Sequence, residues 1–392
     1  MNDFQRGMLA VIKSGFTGEK ASVAADFPWA EAVKFAKAQS LEVMLFLGAE
    51  KSGVQMPAEV FSALQKRAML MLAYAVRQDS EADRIFALLR DKNIDFLPLK
   101  GAILRHMYPE TGMRFMSDID VLIKPEQYPA VEKLMQDEGY SFVCESDHEY
   151  IWDRKNILHI EFHRRLIPSY NKDYFAYYGD GWRPAKRDNG SEYKMSDEDC
   201  LIYIFTHLAK HYRDSGIGLK HFIDIWVYLS KKPELDMEYV EAELEKLQLS
   251  EFFKNVRAAL KVWFEGGAEN EISDMITNWS FSGGAYGCYE KKVLSSAVKE
   301  AADRDGKKDS RIMRVAKAAF MPYALMCQKY PFLRKAPVLL PVMWLVRIAS
   351  AAIFKRGNIK KRNSEINMMT DTNVDGYHTA LNRVGLDFNF KE

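Results

Sequence analysis

Through the first ninety residues apolar side chains recur three and four positions apart and never alternate with polar ones. The stretch AEVFSALQKRAMLMLAYAVRQDSEADRIFALLRDK is representative, and the spacing predicts a helical N-terminal region over residues 1–92. The texture changes at Asn93. IDFLPLKG is a short apolar run closed by Pro and Gly, and AILRHMY returns to helical spacing, so a strand and a short helix follow. DIDVLI is a second compact apolar run, opened by two acids. PEQYPAVEKLMQDEGY then reads as a helix with Pro125 near its start and Gly139 near its end. Three β-rich stretches come next, YSFVCES, EYIWDRKN and ILHIEFHRRL. Residues 93–195 therefore read as a small mixed β-sheet with helices packed on it, and the fold class is α+β. From Ser196 the spacing is helical again, opened by SDED, in which Ser196 can cap the helix and Asp199 can reach back as the acid of a capping box. This helical C-terminal region extends over 196–355. The tail, 356–392, has few apolar positions and is expected to be loosely ordered.

Composition narrows the function without naming one. The 392 residues exceed the size at which one core usually keeps growing, and 48% of them are hydrophobic, enough to fill more than one core. The 55 Lys and Arg against 54 Asp and Glu leave a formal charge of +1, which excludes a globally basic nucleic-acid binder and leaves only local patches. The four cysteines, Cys144, Cys200, Cys288 and Cys327, form no CxxC pair. Neither a zinc knuckle nor a disulfide framework is suggested, and a reducing cytoplasm is the expected compartment. The start, MNDFQRGMLAVIKSG, lacks the apolar core of a signal peptide. Residues 336–354, APVLLPVMWLVRIASAAIF, approach the length of a membrane span, but Arg347 interrupts them and Pro337 and Pro341 break the first turns. A buried helix is the first reading of this segment. Peripheral membrane contact is the second, because Arg334, Lys335, Lys355, Arg356, Lys360, Lys361 and Arg362 flank it and suit anionic headgroups.

The candidate chemistry sits in the sheet region. Asp118 and Asp120 are two apart at the head of an apolar run, and residues two apart in a strand share a face. Two carboxylates side by side repel unless a cation or strong donors compensate, so the pair invites a hard divalent ion such as Mg2+. In ILHIEFH the polar residues His159, Glu161 and His163 alternate with Ile160 and Phe162, which puts Glu161 on a strand face as a third acid. Three oxygen ligands with water and phosphate oxygens complete an octahedral shell, and a second ion can bridge to an attacking hydroxyl. Asp118, Asp120 and Glu161 are thus the expected catalytic and metal-binding residues, with two Mg2+ ions and Mn2+ as the alternative. Lys100 and Gly101 fall between the first strand and a helix, where backbone amides can meet phosphate and the ammonium can offset its charge. Arg114 is placed either to reach a phosphate or to pair with an acid, and Ser117 to support the site by hydrogen bonding. His163 is expected at the carboxylate or a substrate phosphate.

These residues carry a resemblance. LPLKGAILRHMYPETGMRFMSDIDVLI, with Lys100-Gly101, Tyr108-Pro109, Arg114 and Ser117-Asp118-Ile119-Asp120, resembles the motif of the uncharacterised nucleotidyltransferase family, a branch of the polymerase-beta-like nucleotidyltransferase superfamily. Gly139-Tyr140 and Ile160-Glu161-Phe162-His163 continue the likeness, and His207, His211, Lys220 and Asp224 resemble its helical region. The resemblance extends over roughly residues 40–350. It departs from the wider superfamily in having Lys100-Gly101-Ala102 where Gly-Ser or Gly-Gly usually precedes the Asp pair. It implies transfer of a nucleoside monophosphate from an NTP, expected to be ATP, to an unidentified acceptor. A protein, small molecule or sugar phosphate is favoured over RNA, since the net charge gives no footprint for a long polyanion. Two rivals stand beside this: a non-catalytic scaffold of the same fold, and a helical metal site on His207, His211, His221 and Asp224, which lacks a third ligand at metal spacing. The aromatic run YNKDYFAYYGDGW, residues 170–182, reads as packing at a sheet edge before it reads as a base-stacking platform.

Overall fold

The computed structural model describes residues 1–155, 157–302, 313, 316, 319–323, 326, 327, 330–354 and 364–387. They divide into two compact units, Met1–Cys288 with Arg383–Leu386, and Tyr289–Asn382. The boundaries expected at 92/93 and 195/196 both fall inside the first unit.

The first unit opens with helices α1 (Asp3–Thr17), α2 (Trp29–Gln39), α3 (Glu42–Ser52) and α4 (Ala58–Asp91). Asn2 and Gln5 close a capping box at the start of α1, and Gly18 ends it in the left-handed conformation. Helices α1 and α3 pack backbone to backbone, because a Cβ added at Gly48 would fall 1.9 Å from the Val11 carbonyl oxygen. The last turns of α4 bury Ala82, Ile85, Phe86 and Leu89, an i, i+3, i+4, i+7 stripe, against the sheet.

Seven strands form that sheet: β1 (Phe96–Pro98), β2 (Ile119–Ile123), β3 (Ser141–Glu145), β4 (Glu149–Arg154), β5 (Leu158–His163), β6 (Ala185–Asn189) and β7 (Glu192–Met195). Their order is β3-β4-β5-β2-β1-β7-β6. The β2–β5 and β1–β7 pairs are parallel and the others antiparallel, so the sheet is mixed and the fold is α+β as expected. Short helices α5 (Gly101–Leu104) and α6 (Tyr128–Asp137) follow β1 and β2. Ile119, Val121, Trp152, Ile160 and Phe162 point to one face and form a core with α4 and α6. The alternate residues of β2 and β5 point to the other face, which α8 (Asp197–Ser215) and α9 (Leu219–Lys231) approach. Helices α10 (Met237–Lys246), α11 (Ser250–Phe264) and α12 (Glu271–Phe281) complete the unit.

Four details differ from, or refine, the sequence reading. The hairpin β6–β7 was not expected, because its β6 strand is charged and almost wholly exposed and so carries no apolar alternation. The aromatic run contains α7 (Lys172–Tyr178), whose Tyr174 and Tyr178 are buried, Tyr178 sharing a 2.9 Å hydrogen bond with Thr206. At the start of α8, Ser196 Oγ accepts from the Asp199 amide at 3.0 Å, but the Asp199 carboxylate accepts from the Ser196 hydroxyl and not from its backbone N–H. Part of the tail is ordered: Asp371–Arg383 is a helix in which Val374, Tyr377 and Leu381 are buried. Three apolar residues at i, i+3 and i+7 suffice for a stripe in an otherwise polar segment. Beyond it, the Val384 carbonyl accepts from Asn255 Nδ2 at 3.1 Å. The tail residues 356–363 and 388–392 lie outside the described residues.

In the second unit helix α13 (Tyr289–Ala302) is followed by short 3-10 turns at Pro331–Arg334 and Pro337–Leu339 and by the helix Leu340–Phe354. Met326, Cys327 and Leu333 form a small core with Leu340, Met343 and Trp344. Arg347 reaches the Ala319 carbonyl at 2.8 Å, and Trp344 Nε1 the Met321 carbonyl at 2.8 Å. The expected burial of 336–354 is therefore one-sided. Val338, Val342, Leu345 and Val346 remain exposed, Val338 at 82% and Leu345 at 66%. No helix among the described residues is long and apolar enough to cross a membrane. The basic flank Lys355, Arg356, Lys360, Lys361 and Arg362 lies outside the described residues.

Candidate active site

Parallel pairing of β2 with β5 sets Asp120 directly beside Glu161. Asp118 stands one residue ahead of β2, and the Asp-x-Asp spacing gives it the same face as Asp120. Lys100, with φ +41° in the turn that joins β1 to α5, sends its Nζ to within 2.9 Å of Asp120 Oδ1. Nε2 of the buried His163 meets the same oxygen at 2.7 Å and lies 3.6 Å from Glu161, while His159 stands 3.7 Å from Glu161 on the other side. Asp120 Oδ2 has no hydrogen-bond or ion-pair partner among the described residues, and neither has the Asp118 carboxylate.

The three acids differ electrostatically as their partners do. Burial and the neighbouring charges of Asp120 and Glu161 push the Asp118 carboxyl up to about 6. For Asp120 burial acts upward, but Lys100 and His163 outweigh it and hold the carboxyl far below its ordinary range. Glu161 likewise resists burial through the imidazoles of His159 and His163 beside it, which bring it down to about 2. His163 is raised: burial opposes its charge, and Asp120 and Glu161 more than restore it.

Among the described residues, two side-chain groups have the donors and spacing to hold a cation, with ligand atoms within 4.8 Å of one another: Asp120, Glu161 and His163, and His148, Glu149 and His163. Asp118 belongs to neither. Its raised carboxyl nevertheless marks an excess of negative charge that a divalent ion would relieve, so the residues present fit such an ion.

The other expected residues are placed as follows. Arg114 is buried and pairs with Asp224, Nε to Oδ1 at 2.6 Å, and Tyr108 donates to the same oxygen at 2.7 Å. This is the acid pair expected of Arg114, with Asp224 as the partner. Ser117 shares a 2.8 Å hydrogen bond with the Tyr286 hydroxyl. Gly101 lies against the Met116 side chain, which would have to shift to admit a Cβ, since one built there falls 2.6 Å from Met116 Sδ. Helix α5 spans only four residues, which leaves little dipole for the phosphate contact expected at its start. Asp224 is held by Arg114 and Tyr108, so the rival helical metal site loses its carboxylate. His207 and His211 meet each other at 3.1 Å instead.

Sheet and helices enclose a cavity of about 290 Å³ whose lining includes Asp118, Asp120 and Glu161 on one side and Lys210 and Lys220 on the other. Sequence reasoning missed His148, Glu149, Lys210 and Tyr286 in this lining. Lys210 was within reach, because it lies on the α8 face already marked by His207 and His211. Glu149 is paired with His163 across β4 and β5, a register no single strand reveals. Tyr286 comes from a loop with no local signal.

A sequence model of a family described as uncharacterised nucleotidyltransferase matches residues 25–265, more than half of the chain. The match begins earlier and ends earlier than the span over which the motifs were legible. No curated protein and no solved structure matches.

Proposed function

Since the chain belongs to the uncharacterised nucleotidyltransferase family, which supports nucleotidyl transfer as its general activity, we propose that it is a metal-dependent enzyme moving a nucleoside monophosphate from an NTP to a hydroxyl or phosphate acceptor. One observation carries the proposal: Asp120 and Glu161 stand in register on adjacent parallel strands, with the unpaired Asp118 two residues from Asp120, in the wall of a cavity. Asp118, Asp120 and Glu161 would hold the divalent ions, Mg2+ with Mn2+ as a substitute. Such ions, when bound, neutralise the triphosphate and sharpen the nucleophile.

The chain's own residues supply the rest. Lys100 and His163 fix Asp120 through Oδ1 in the wall of the cavity. His159 and His163 keep Glu161 ionised and so ready to hold a cation beside Asp120. The acceptor oxygen attacks the α-phosphorus, its proton passes to water, the bond to the β-phosphate oxygen breaks and pyrophosphate leaves. Arg114 acts at a distance by clamping Asp224 of α9 to the loop ahead of β2. ATP is the proposed nucleotide and a protein, small molecule or sugar phosphate the proposed acceptor.

The test is pyrophosphate release from each of the four ribonucleoside triphosphates with magnesium, in wild type and in Asp118→Ala/Asp120→Ala. Turnover or metal-dependent nucleotide binding that the double variant loses is the expected result. Nucleotide binding with magnesium that is unchanged in the double variant would contradict the assignment.

A second reading concerns location. The exposed stripe of Val338, Val342, Leu345 and Val346, next to the exposed Arg334 and Lys335, favours peripheral contact with an anionic membrane surface from the cytoplasmic side. The four cysteines are free thiols, which suits the reducing cytoplasm.

A further inference from the structure

The sheet side of the cavity carries Asp118, Asp120, Glu149 and Glu161 beside Lys100, His148 and His163, and the helical side carries His207, Lys210 and His211 from α8 and Lys220, His221 and Asp224 from α9. Spacings of three and four residues on α8 and the adjacent pair on α9 bring these groups to one wall. Lys210 is 8% exposed and Lys220 2% exposed, and neither ammonium has a hydrogen bond or an ion pair with a carboxylate among the described residues. Both line the cavity. Lys220 Nζ lies 5.1 Å from the centre of the Tyr286 ring. The fixed cations nearby are committed elsewhere, Lys100 to Asp120 and Arg114 to Asp224.

Burying two lysines without an ion pair disfavours their charge, and the carboxylates farther off, Asp214 for Lys210 and Asp224 for Lys220, do not make up for it. Burial first, and the Lys100 charge second, bring Lys210 down to about 8. Burial and the Arg114 charge bring Lys220 down to about 7. Near neutral pH the wall is therefore poised to take up protons when an anion arrives. A structural role alone is a poor account of two such residues, because methionine would fill the same space without the desolvation cost.

We infer that Lys210 and Lys220 form the subsite for the triphosphate tail of the nucleotide, facing the metal-binding acids across the cavity. The inference rests on the nucleotidyltransferase reading for its ligand and deepens it. It also accounts for the departure at Lys100-Gly101. The turn that usually serves phosphate here ends in a four-residue helix, with its lysine bound to Asp120 and its glycine filled by Met116. Phosphate handling moves to the helical wall. His207 and His221, both lowered well below the ordinary histidine range by burial and by the cations around them, are neutral imidazoles that can donate a hydrogen bond to the same oxygens. Nε2 of His221 is buried and has no partner.

Inorganic tripolyphosphate in the presence of a chelator tests the wall without the metal and without turnover. Titration calorimetry of the full chain is expected to show one site, weakened about tenfold by Lys210→Met and again by Lys220→Met, each charged contact being of that order. Asp118→Asn removes a like charge and is expected to tighten it. The arginine variants Lys210→Arg and Lys220→Arg should retain binding that the methionine variants lose, and Lys254→Met, on the exposed face of α11, should change nothing. Should a methionine variant fold poorly, acetylation of the wild-type protein followed by mass spectrometry reads the same point: Lys210 and Lys220 should be modified early at pH 8 and be protected by tripolyphosphate. Tripolyphosphate affinity unchanged in Lys210→Met/Lys220→Met, or acetylation of these lysines unaffected by it, would overturn the inference. The two proposals fail separately. Tripolyphosphate binding lost in the lysine variants, with no nucleotide effect of Asp118→Ala/Asp120→Ala, keeps the subsite and removes the transferase, and the reverse pattern keeps the transferase and removes the subsite.

Discussion

Single side chains set the chemistry, and two of them give predictions at that scale. Asp118 has a folded-state carboxyl at about 6 against an ordinary 3.8, so the folded protein binds the extra proton between those values. Its contribution to stability is present below about pH 4 and is lost as pH rises through 6, by up to about 3 kcal/mol for a shift of this size. Metal-free wild type should lose denaturant stability across that window relative to Asp118→Asn, and saturating magnesium should remove the difference. The buried pair Arg114–Asp224 predicts the opposite kind of effect. Arg114→Met leaves Asp224 buried without its cation and should cost about 3–5 kcal/mol in urea unfolding, whereas Arg114→Met/Asp224→Leu should recover most of it. Part of this scale was legible in sequence, since two-residue spacing puts Asp118 with Asp120 and Glu161 with His163, each pair on one face of its own strand. The partner of Arg114 was not, because Asp224 lies 110 positions away in a helix whose packing no local pattern specifies.

Elements decide whether those side chains meet. The mixed order of the sheet places β5 beside β2, and the parallel register, not any sequence spacing, brings Glu161 to Asp120. Apolar runs made β1, β2 and β5 readable, and three- and four-residue spacing made the helices readable. The β6–β7 hairpin escaped because edge strands covered by charge show no alternation, although the Asn189-Gly190 pair at its turn was a usable sign. The helix Asp371–Arg383 escaped because a segment can fold on a few apolar residues when other parts of the protein bury them. Helical packing has its own test in Gly48. A Cβ there meets the Val11 backbone, which cannot rotate away as a side chain can, so Gly48→Ala should separate α1 from α3 and cost about 1–3 kcal/mol or more. Thermal unfolding of the variant reads this directly, and an unchanged melting temperature would show that α1 shifts freely.

At the scale of the molecule, each compact unit presents its own surface for function. The first holds a cavity lined by acids of the sheet and by lysines and histidines of α8 and α9. The second exposes an apolar stripe beside basic residues. Val342→Glu/Leu345→Glu should abolish co-sedimentation of the full chain with vesicles rich in phosphatidylserine, while leaving nucleotide binding unchanged; equal sedimentation of variant and wild type would remove the membrane reading. The central claim, that the acids of β2 and β5 are a divalent-metal site, is tested most directly by the binding of Mn2+ followed by electron paramagnetic resonance. Saturable Mn2+ binding by the wild type, tightened by an NTP and lost in Asp118→Asn/Asp120→Asn with the fold intact, is the result predicted; Mn2+ binding equally strong in that variant would contradict the account.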